Sequence, residues 1–149
     1  MPPILIDTNV LVYFFNLSDA SRQNRAIELI GQLEKSHLGY LSTQNLGEFF
    51  TVATRKLEPA ITSTEAARYV QHFTQTFTII PLTVAVVLEA SRGVCEHKLA
   101  YFDAQLWATA KLNQIPVFFS EDFQDGAVLE GVRFINPFTS EFTLDQWLA

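Results

Sequence analysis

The 149-residue sequence has only one cysteine, Cys95, so no disulfide bond can form within the chain. A lone thiol excludes the disulfide-rich class of small secreted domains and favours a reducing compartment, and we expect a cytoplasmic protein. Basic residues are also few, 10 against 16 acidic ones, which gives a formal net charge of −6. This balance argues against a module that holds nucleic acid through a basic surface. It leaves room for a nuclease, because carboxylates that hold cations make a site formally negative.

Several other signals are absent from the sequence. No run of about 18 apolar residues occurs, so no membrane span is expected. The start, residues 1–4, lacks the basic region and cleavage site of a secretory signal. No glycine-rich phosphate loop follows a predicted strand, which disfavours a nucleotide-binding fold. The three histidines, His37, His72 and His97, show no zinc-ligand spacing with each other or with Cys95.

Hydrophobic residues, in contrast, are abundant at 48%, and 13 of them are phenylalanine. That composition is typical of a compact globular protein of one domain. No internal repeat or linker divides the chain. We therefore expect a single domain over residues 1–149, with the segment beyond about residue 136 as a tail packed on it.

Short apolar runs alternate with amphipathic segments along the chain. Strands are predicted at 4–6, 39–42, 78–82 and 115–119, with a short fifth at 132–135. Helices are predicted at 10–15, 25–35, 43–57, 62–77, 84–99 (interrupted by Gly93) and 102–113, and residues 16–24 read as a loop. This alternation predicts an α/β fold with three α/β/α layers around a central parallel sheet of four to five strands.

Two acidic residues lie at or shortly after the ends of predicted strands. Asp7 comes after Ile4-Leu5-Ile6, and Asp122 comes shortly after Val117-Phe118-Phe119. In open parallel sheets, ligands bind beyond the carboxyl ends of the strands, which is where both carboxylates would lie. Taken singly, each is equally well explained as a helix cap or a turn former.

Asp103 lies on a predicted apolar helix face with Leu99, Leu106 and Trp107. A carboxylate that points at a core costs several kcal/mol unless it is paired or holds a metal. The alternative is that Asp103 caps a helix beginning at Ala104. No basic residue lies one turn away to neutralise it, so the pattern favours a functional role.

Glu48 has the weakest support from pattern alone. A helical wheel places it opposite Leu46, Phe50 and Ala53, which predicts a solvent-exposed glutamate. Its position near the start of its helix would also allow it to face a cleft at the strand ends. Both interpretations stay open on the residues alone.

Carboxylates that converge on one point repel each other, and their pKa values rise unless a cation neutralises them. Oxygen ligands of this kind suit Mg²⁺ or Mn²⁺. These ions bind phosphate oxygens, lower the pKa of a bound water and stabilise the charge that develops in phosphodiester hydrolysis.

Four segments together resemble the PIN-domain nucleases, and especially the toxin ribonucleases of the VapC type. They occur in the family's order and span nearly the whole chain: Ile4–Leu11, Asn45–Phe49, Phe102–Ala110 and Phe119–Phe123. Each segment alone is a weak motif, whereas the ordered set is fairly specific.

The resemblance implies a set of roles for the polar residues. The implied metal ligands are Asp7, Glu48, Asp103 and Asp122. Supporting polar roles are implied for Thr8, Asn9 and Ser120. Asp125 competes with Asp122 for the fourth acidic position, and Asp122 fits the family's pattern of hydroxyl, any residue, acid and apolar residue better.

The resemblance also implies a mechanism and partners. Asp7 and Asp103 would hold the principal Mg²⁺ or Mn²⁺, and a metal-activated water would attack the phosphorus of RNA to leave a 5′-phosphate and a 3′-hydroxyl. Family members of this type commonly dimerise and are inhibited by a small antitoxin protein. Phe73 and Phe77 could contribute to a dimer face, although a core role fits their helical spacing better.

Other classes fit less well. An aspartyl-phosphate phosphatase needs a second acid two residues after the first, and that position holds Asn9. The stronger competitor is a non-catalytic PIN-like domain that binds RNA or a protein. The candidate cations for substrate binding are scattered along the sequence rather than grouped: Arg22, Arg25, Lys56 and Arg92.

Overall fold

The computed structural model describes residues 1–148, and its centre is a six-stranded sheet in the order β3-β2-β1-β4-β6-β5. The strands are β1 (Ile4–Ile6), β2 (Gly39–Ser42), β3 (Thr78–Ile80), β4 (Val117–Phe119), β5 (Val128–Leu129) and β6 (Val132–Ile135). Every neighbouring pair is parallel except β5 with β6. The parallel strands β1 and β4 lie side by side, so their carboxyl ends open at the same edge.

Seven helices accompany the sheet in the described part of the chain. They are α1 (Thr8–Tyr13), α2 (Ala20–Ser36), α3 (Thr43–Arg55), α4 (Ser63–Thr76), α5 (Val84–His97), α6 (Tyr101–Leu112) and α7 (Asp145–Leu148). Side chains of α1 to α4 form one apolar core with Ile4 and Ile6, whereas α5 and α6 form a second core with Leu5. Because successive strand residues point to opposite faces, these cores lie on the two sides of the sheet. The predicted three-layer α/β/α fold is confirmed.

The second helix is longer than its pattern predicted. It begins at Ala20, so residues 20–24, predicted as part of a loop, are helical. Asp19 stabilises this start, because its side chain accepts a hydrogen bond from the backbone N–H of Arg22 at 3.1 Å. The first turn of this helix is polar, so it has no apolar stripe from which the helix could be predicted. The sequence feature that indicates the start of the helix is the capping residue Asp19.

Gly93 does not interrupt α5, which runs unbroken from Val84 to His97. The glycine is buried against the indole ring of Trp107, and a Cβ atom at this position would lie 2.7 Å from Trp107 Cζ3. Close packing between α5 and α6, rather than a break in the helix, accounts for this glycine.

One additional strand, β5, was not predicted from the sequence. It is a two-residue antiparallel partner of β6, joined to it by a turn in which Glu130 and Gly131 have φ of 47° and 87°. A strand this short carries too few residues for an alternation pattern. The sheet therefore has one strand more than the predicted four to five.

The C-terminal segment packs on the first core. Phe142 and Leu144 are buried, and the ring of Trp147 meets that of Phe119 edge-on at 6.0 Å between centroids. Phe73 and Phe77 are also buried, which supports their core interpretation over a dimer face. Among residues 1–148, no helix is long and apolar enough to cross a membrane.

Candidate active site

Three carboxylates from distant parts of the chain meet at the carboxyl edge of the sheet. Asp7 follows β1, Asp122 follows β4 after a two-residue loop, and Asp103 lies in the first turn of α6. One oxygen atom of each lies within 4.8 Å of the others. The parallel pairing of β1 with β4 delivers two of these side chains, and the start of α6 brings the third.

The side chain of Asp7 is not a helix cap. Its backbone occupies the N-cap position of α1, but the carboxylate makes no capping hydrogen bond. Instead, Asp7 Oδ2 accepts a hydrogen bond of 2.7 Å from the hydroxyl of Ser120. Asp7 is only 6% exposed, so its carboxylate is fixed inside the cleft rather than at the surface.

Asp103 is not a cap either, since α6 begins at Tyr101 after Ala100. Its carboxylate is half-buried and lines the same cleft as Leu106. An acidic side chain in the first turn of a helix is favoured by the helix dipole. The sequence placed Asp103 on an apolar helix face with Leu106. In the structure both side chains line the wall of a cleft.

Burial and mutual repulsion raise the pKa values of the cluster. Burial, with smaller contributions from Asp122 and Asp103, raises the pKa of Asp7 from 3.8 to about 7, against the lowering effect of the Ser120 hydrogen bond. Burial likewise raises the pKa of Asp103, with help from the charges of Asp122 and Glu48. The cluster thus resists carrying its full negative charge without a compensating cation.

These three residues fit a hard divalent cation. All the converging donors are carboxylate oxygens, the ligand type that Mg²⁺ and Mn²⁺ prefer. No lysine or arginine is among the described residues that line the cleft, so no cationic side chain there provides the missing positive charge. Asp7, Asp103 and Asp122 would hold the ion.

Glu48 faces the cleft, contrary to the solvent-exposed interpretation of the helical wheel. It is half-buried, and its Oε1 accepts a hydrogen bond of 2.7 Å from the hydroxyl of Thr8. Asn45 Nδ2 donates in turn to Thr8 Oγ1 at 3.0 Å. Glu48 therefore lies beside the three-carboxylate group without belonging to it, and Thr8 links it to the start of α1.

The remaining predicted residues divide between the cleft and its surroundings. Asn9 lines the cleft. Ser120 also accepts a hydrogen bond of 3.1 Å from the backbone N–H of Asp122, so one hydroxyl contacts both Asp7 and the loop after β4. Asp125 is exposed and accepts a hydrogen bond of 2.8 Å from the backbone N–H of Asn136, which is a structural contact away from the cleft.

The loop that carries Asp122 is held on both sides. Before it, Glu121 accepts hydrogen bonds from the hydroxyl of Tyr13 and from Arg22 Nε, the latter at 3.1 Å. After it, the ring of Phe123 stacks on Phe134 at 4.0 Å between centroids. Both neighbours of Asp122 are thus anchored outside the cleft, which leaves its carboxylate directed to the cluster.

Sequence reasoning gave no role to Asn45, Tyr13 or Glu121. For Asn45 a signal existed: Ser42 and Asn45 lie three residues apart at the start of α3 and form a capping box, with Ser42 N–H donating to Asn45 Oδ1 at 2.8 Å. Tyr13 and Glu121 are 108 residues apart, and nothing in the local pattern of either links them.

The cleft around the carboxylates has a volume of about 510 Å³. Its lining combines the acidic residues with apolar and small polar ones: Thr8, Asn9, Gln44, Gly47, Thr51, Val52, Phe102 and Leu106. An acidic end and an apolar wall therefore share one opening.

Comparisons with known proteins give a consistent result. A family model for the PIN domain matches residues 4–125. No curated protein is a detectable sequence relative of the chain. Among solved structures, VapC20 of Mycobacterium tuberculosis, a toxin that cleaves the sarcin-ricin loop, is 20% identical with a TM-score of 0.64, and the match covers 85% of this chain and 97% of that one.

Two further structures are similar in fold. One is a toxin–antitoxin complex from Klebsiella pneumoniae, 21% identical with a TM-score of 0.63 over 90% of this chain and 97% of that one. The other is DNA-bound VapBC from Salmonella typhimurium, 13% identical with a TM-score of 0.61 over the same shares of the two chains. With the family match, the sheet order and the carboxylate cluster in place, the chain belongs to the PIN domain family.

Proposed function

We propose that this protein is a metal-dependent endoribonuclease that cleaves RNA phosphodiester bonds and serves as the toxin of a toxin–antitoxin pair. The observation that carries the nuclease proposal is the convergence of Asp7, Asp103 and Asp122 within 4.8 Å. Three carboxylates that repel one another are costly to the fold, and the more so because Asp7 is buried and Asp103 half-buried. Such a cost is offset when the group holds a cation that does chemistry.

In this proposal each cleft residue has a task. Asp7, Asp103 and Asp122 hold Mg²⁺ or Mn²⁺. When bound, the ion polarises a phosphate oxygen and lowers the pKa of a coordinated water. Glu48 Oε1 is engaged by Thr8, so Glu48 Oε2 is the oxygen that accepts a hydrogen bond or a proton from a water in the cleft. The hydroxyl of Ser120 keeps the carboxylate of Asp7 in a fixed orientation, and the hydroxyl of Thr8 does the same for Glu48.

The salt bridges of the arginine side chains are compatible with an RNA substrate. Arg92 forms salt bridges with Glu89, Glu96 and Glu130. Arg22 pairs with Asp19 and Glu121. Since these two arginines are engaged within the protein and no lysine or arginine of residues 1–148 lines the cleft, we assign binding within the cleft to the metal and to contacts with sugars and bases, as in the recognition of single-stranded RNA.

We further propose a small antitoxin as partner and a homodimer as the assembly. The support is the likeness in fold to VapC20, a sarcin-ricin loop cleaving toxin, and to the Klebsiella pneumoniae toxin–antitoxin complex. Charge complementarity gives a physical route to inhibition. An arginine from the antitoxin can enter the acidic cleft and take the place of the metal's charge through bidentate hydrogen bonds.

The test of the nuclease is cleavage of a panel of structured and unstructured RNAs with Mn²⁺ or Mg²⁺, with EDTA lanes alongside. Asp7→Asn and Asp103→Asn should abolish cleavage and remain folded. Asp125→Asn is the matched control, because it removes the same charge outside the cleft and should cleave like the parent.

The alternative is a PIN-like domain that binds RNA or a protein without cutting. Titration calorimetry measures the binding of Mn²⁺. Binding by the parent but not by Asp103→Asn supports the nuclease. Cleavage that persists in EDTA or in Asp7→Asn contradicts the site assignment. RNA binding with neither cleavage nor metal binding points to the non-catalytic domain.

A further inference from the structure

One large aromatic side chain is exposed at the mouth of the candidate active site. Phe102 is 62% exposed and directly precedes Asp103. It lines the same cleft as the three carboxylates. A phenylalanine that contributes little to the core and stands beside an acidic centre has no evident role in stabilising the fold.

The backbone of Phe102 is held in place from across the cleft. Gln44 Nε2 donates a hydrogen bond of 3.0 Å to the carbonyl oxygen of Phe102. Gln44 is itself oriented by Gln105, whose Nε2 donates to Gln44 Oε1 at 2.8 Å. The ring of Tyr101 meets that of Phe102 edge-on, with centroids 5.2 Å apart. The ring is therefore exposed on a braced backbone, an arrangement that lowers the entropy cost of stacking a ligand on it.

The wall of the cleft behind the ring is apolar and open. Val52 and Leu106 line it, and a Cβ atom at Gly47 would meet nothing within 4 Å. The volume of about 510 Å³ falls within the usual range of sites that enclose small organic ligands. A flat, uncharged group can enter such a space, whereas a phosphate needs a cation that the lining side chains do not offer.

From these observations we propose that Phe102 is the stacking platform for an unpaired nucleobase next to the scissile phosphate. The inference rests on the proposed function and names the residue of the same site that holds the base. Stacking on an aromatic ring is the usual means of holding a splayed base, and it needs no basic surface. A protein with a net charge of −6 has reason to rely on it.

The test separates the effect of the aromatic ring of Phe102 from the effect of its hydrophobicity. Phe102→Leu keeps an apolar side chain but removes the π face, and Phe102→Tyr keeps the ring. Both are made in an Asp7→Asn background, where cleavage is expected to be absent, and binding of a fluorescein-labelled single-stranded RNA is followed by anisotropy. We expect Leu to weaken binding about 5- to 100-fold and Tyr to stay within about twofold of the parent.

Three controls complete the design. Leu88→Ala shortens an exposed apolar side chain on α5, outside the cleft, and should leave RNA binding unchanged. A blunt-ended RNA duplex without unpaired bases should bind less tightly than the single strand and should not respond to Phe102→Leu. With Asp7 restored, Phe102→Leu should bind Mn²⁺ with parental affinity, since the ring is not a ligand.

Equal binding of the Leu and Phe proteins to the single strand overturns the proposal. So does a change from dimer to monomer in Phe102→Leu without a change in RNA binding, which would place the ring at a subunit interface. Ring-dependent binding by a protein that never cleaves RNA would refute the proposed nuclease and keep the stacking site. Cleavage with ring-independent binding would do the reverse.

Discussion

The hydroxyl of Ser120 donates a 2.7 Å hydrogen bond to the carboxylate of Asp7, although the two residues are 113 positions apart in the chain. The bond is buried and joins the ends of the neighbouring parallel strands β1 and β4. Because it favours the ionised form, it holds the pKa of Asp7 lower than burial alone would set it. Ser120 thus favours the ionised form of Asp7, which the proposed metal site needs.

We predict that Ser120→Ala weakens Mn²⁺ binding by about 10- to 100-fold, the usual cost of removing a hydrogen bond to a metal ligand. Loss of the donor raises the pKa of Asp7 further, so the deficit should be largest at low pH. Titration calorimetry at pH 6 and pH 8 measures both effects. Ser140→Ala, an exposed serine, serves as the control. Equal affinities for Ser120→Ala and the parent would show that the bond does not tune the site.

The raised pKa of Asp7 predicts a pH dependence of stability in the metal-free protein. The pKa is about 7 in the folded chain and near 3.8 when unfolded, so the folded state binds more protons between these values. The free energy of unfolding should therefore fall as pH rises from 5 to 8, by an amount on the order of a few kcal/mol. Urea denaturation in EDTA measures it.

Asp7→Asn should remove this slope and be more stable than the parent at pH 8. Glu141→Gln, which removes an exposed acid far along the chain, should retain the parental slope. A parental slope that survives in Asp7→Asn would mean that other groups dominate the titration.

The hydrogen bond from Tyr13 to Glu121 predicts an effect on Asp122, the residue that follows Glu121 in the loop after β4. Burial, followed by the bond to Glu121, raises the pKa of Tyr13 to about 12, so the hydroxyl remains a neutral donor at working pH. Tyr13→Phe removes the donor without changing any charge. We expect metal affinity to fall about 10-fold because the loop that carries Asp122 loses an anchor.

Tyr69→Phe is the matched control, since it also removes a tyrosine hydroxyl but lies on α4. Calorimetric titration with Mn²⁺ compares the two variants. If Tyr13→Phe binds the ion as tightly as Tyr69→Phe does, the loop is held by other contacts.

Two helical glycines predict opposite responses to alanine. In Gly93→Ala the added Cβ meets Trp107 Cζ3 at 2.7 Å and Cε3 at 3.1 Å, whereas at Gly31 in α2 it meets nothing within 4 Å. Overpacking costs about 1–3 kcal/mol, and alanine gains up to about 1 kcal/mol of helix propensity. Gly93→Ala should therefore lower the free energy of unfolding, and Gly31→Ala should raise it.

Urea denaturation of the two variants at the same pH measures the difference. A gain in stability for Gly93→Ala would show that Trp107 moves aside at little cost.

The sequence predicted best what depends on short, strongly patterned segments. Apolar runs that end in an acidic residue identified β1 and β4, and parallel pairing then requires Asp7 and Asp122 to be near each other. The orientation of Glu48 was beyond reach of the helical wheel. A wheel gives directions within one helix, whereas the contacts of Glu48 depend on Thr8 in another element. The prediction that Gly93 interrupts α5 was wrong for a similar reason, because the role of this glycine depends on the close approach of Trp107.

The position of β1 in the sheet has a consequence for how the protein is made. This strand is synthesised before the other five strands of the sheet, yet it is central in the order β3-β2-β1-β4-β6-β5 and pairs with a strand that is synthesised much later. Until β4 emerges, Asp7 lacks both Ser120 and Asp122, and the three-carboxylate cluster does not exist. Pairing across so long a loop is intrinsically slow. In a growing chain the cluster therefore forms late, after β4 and the loop behind it have been translated and have paired with β1.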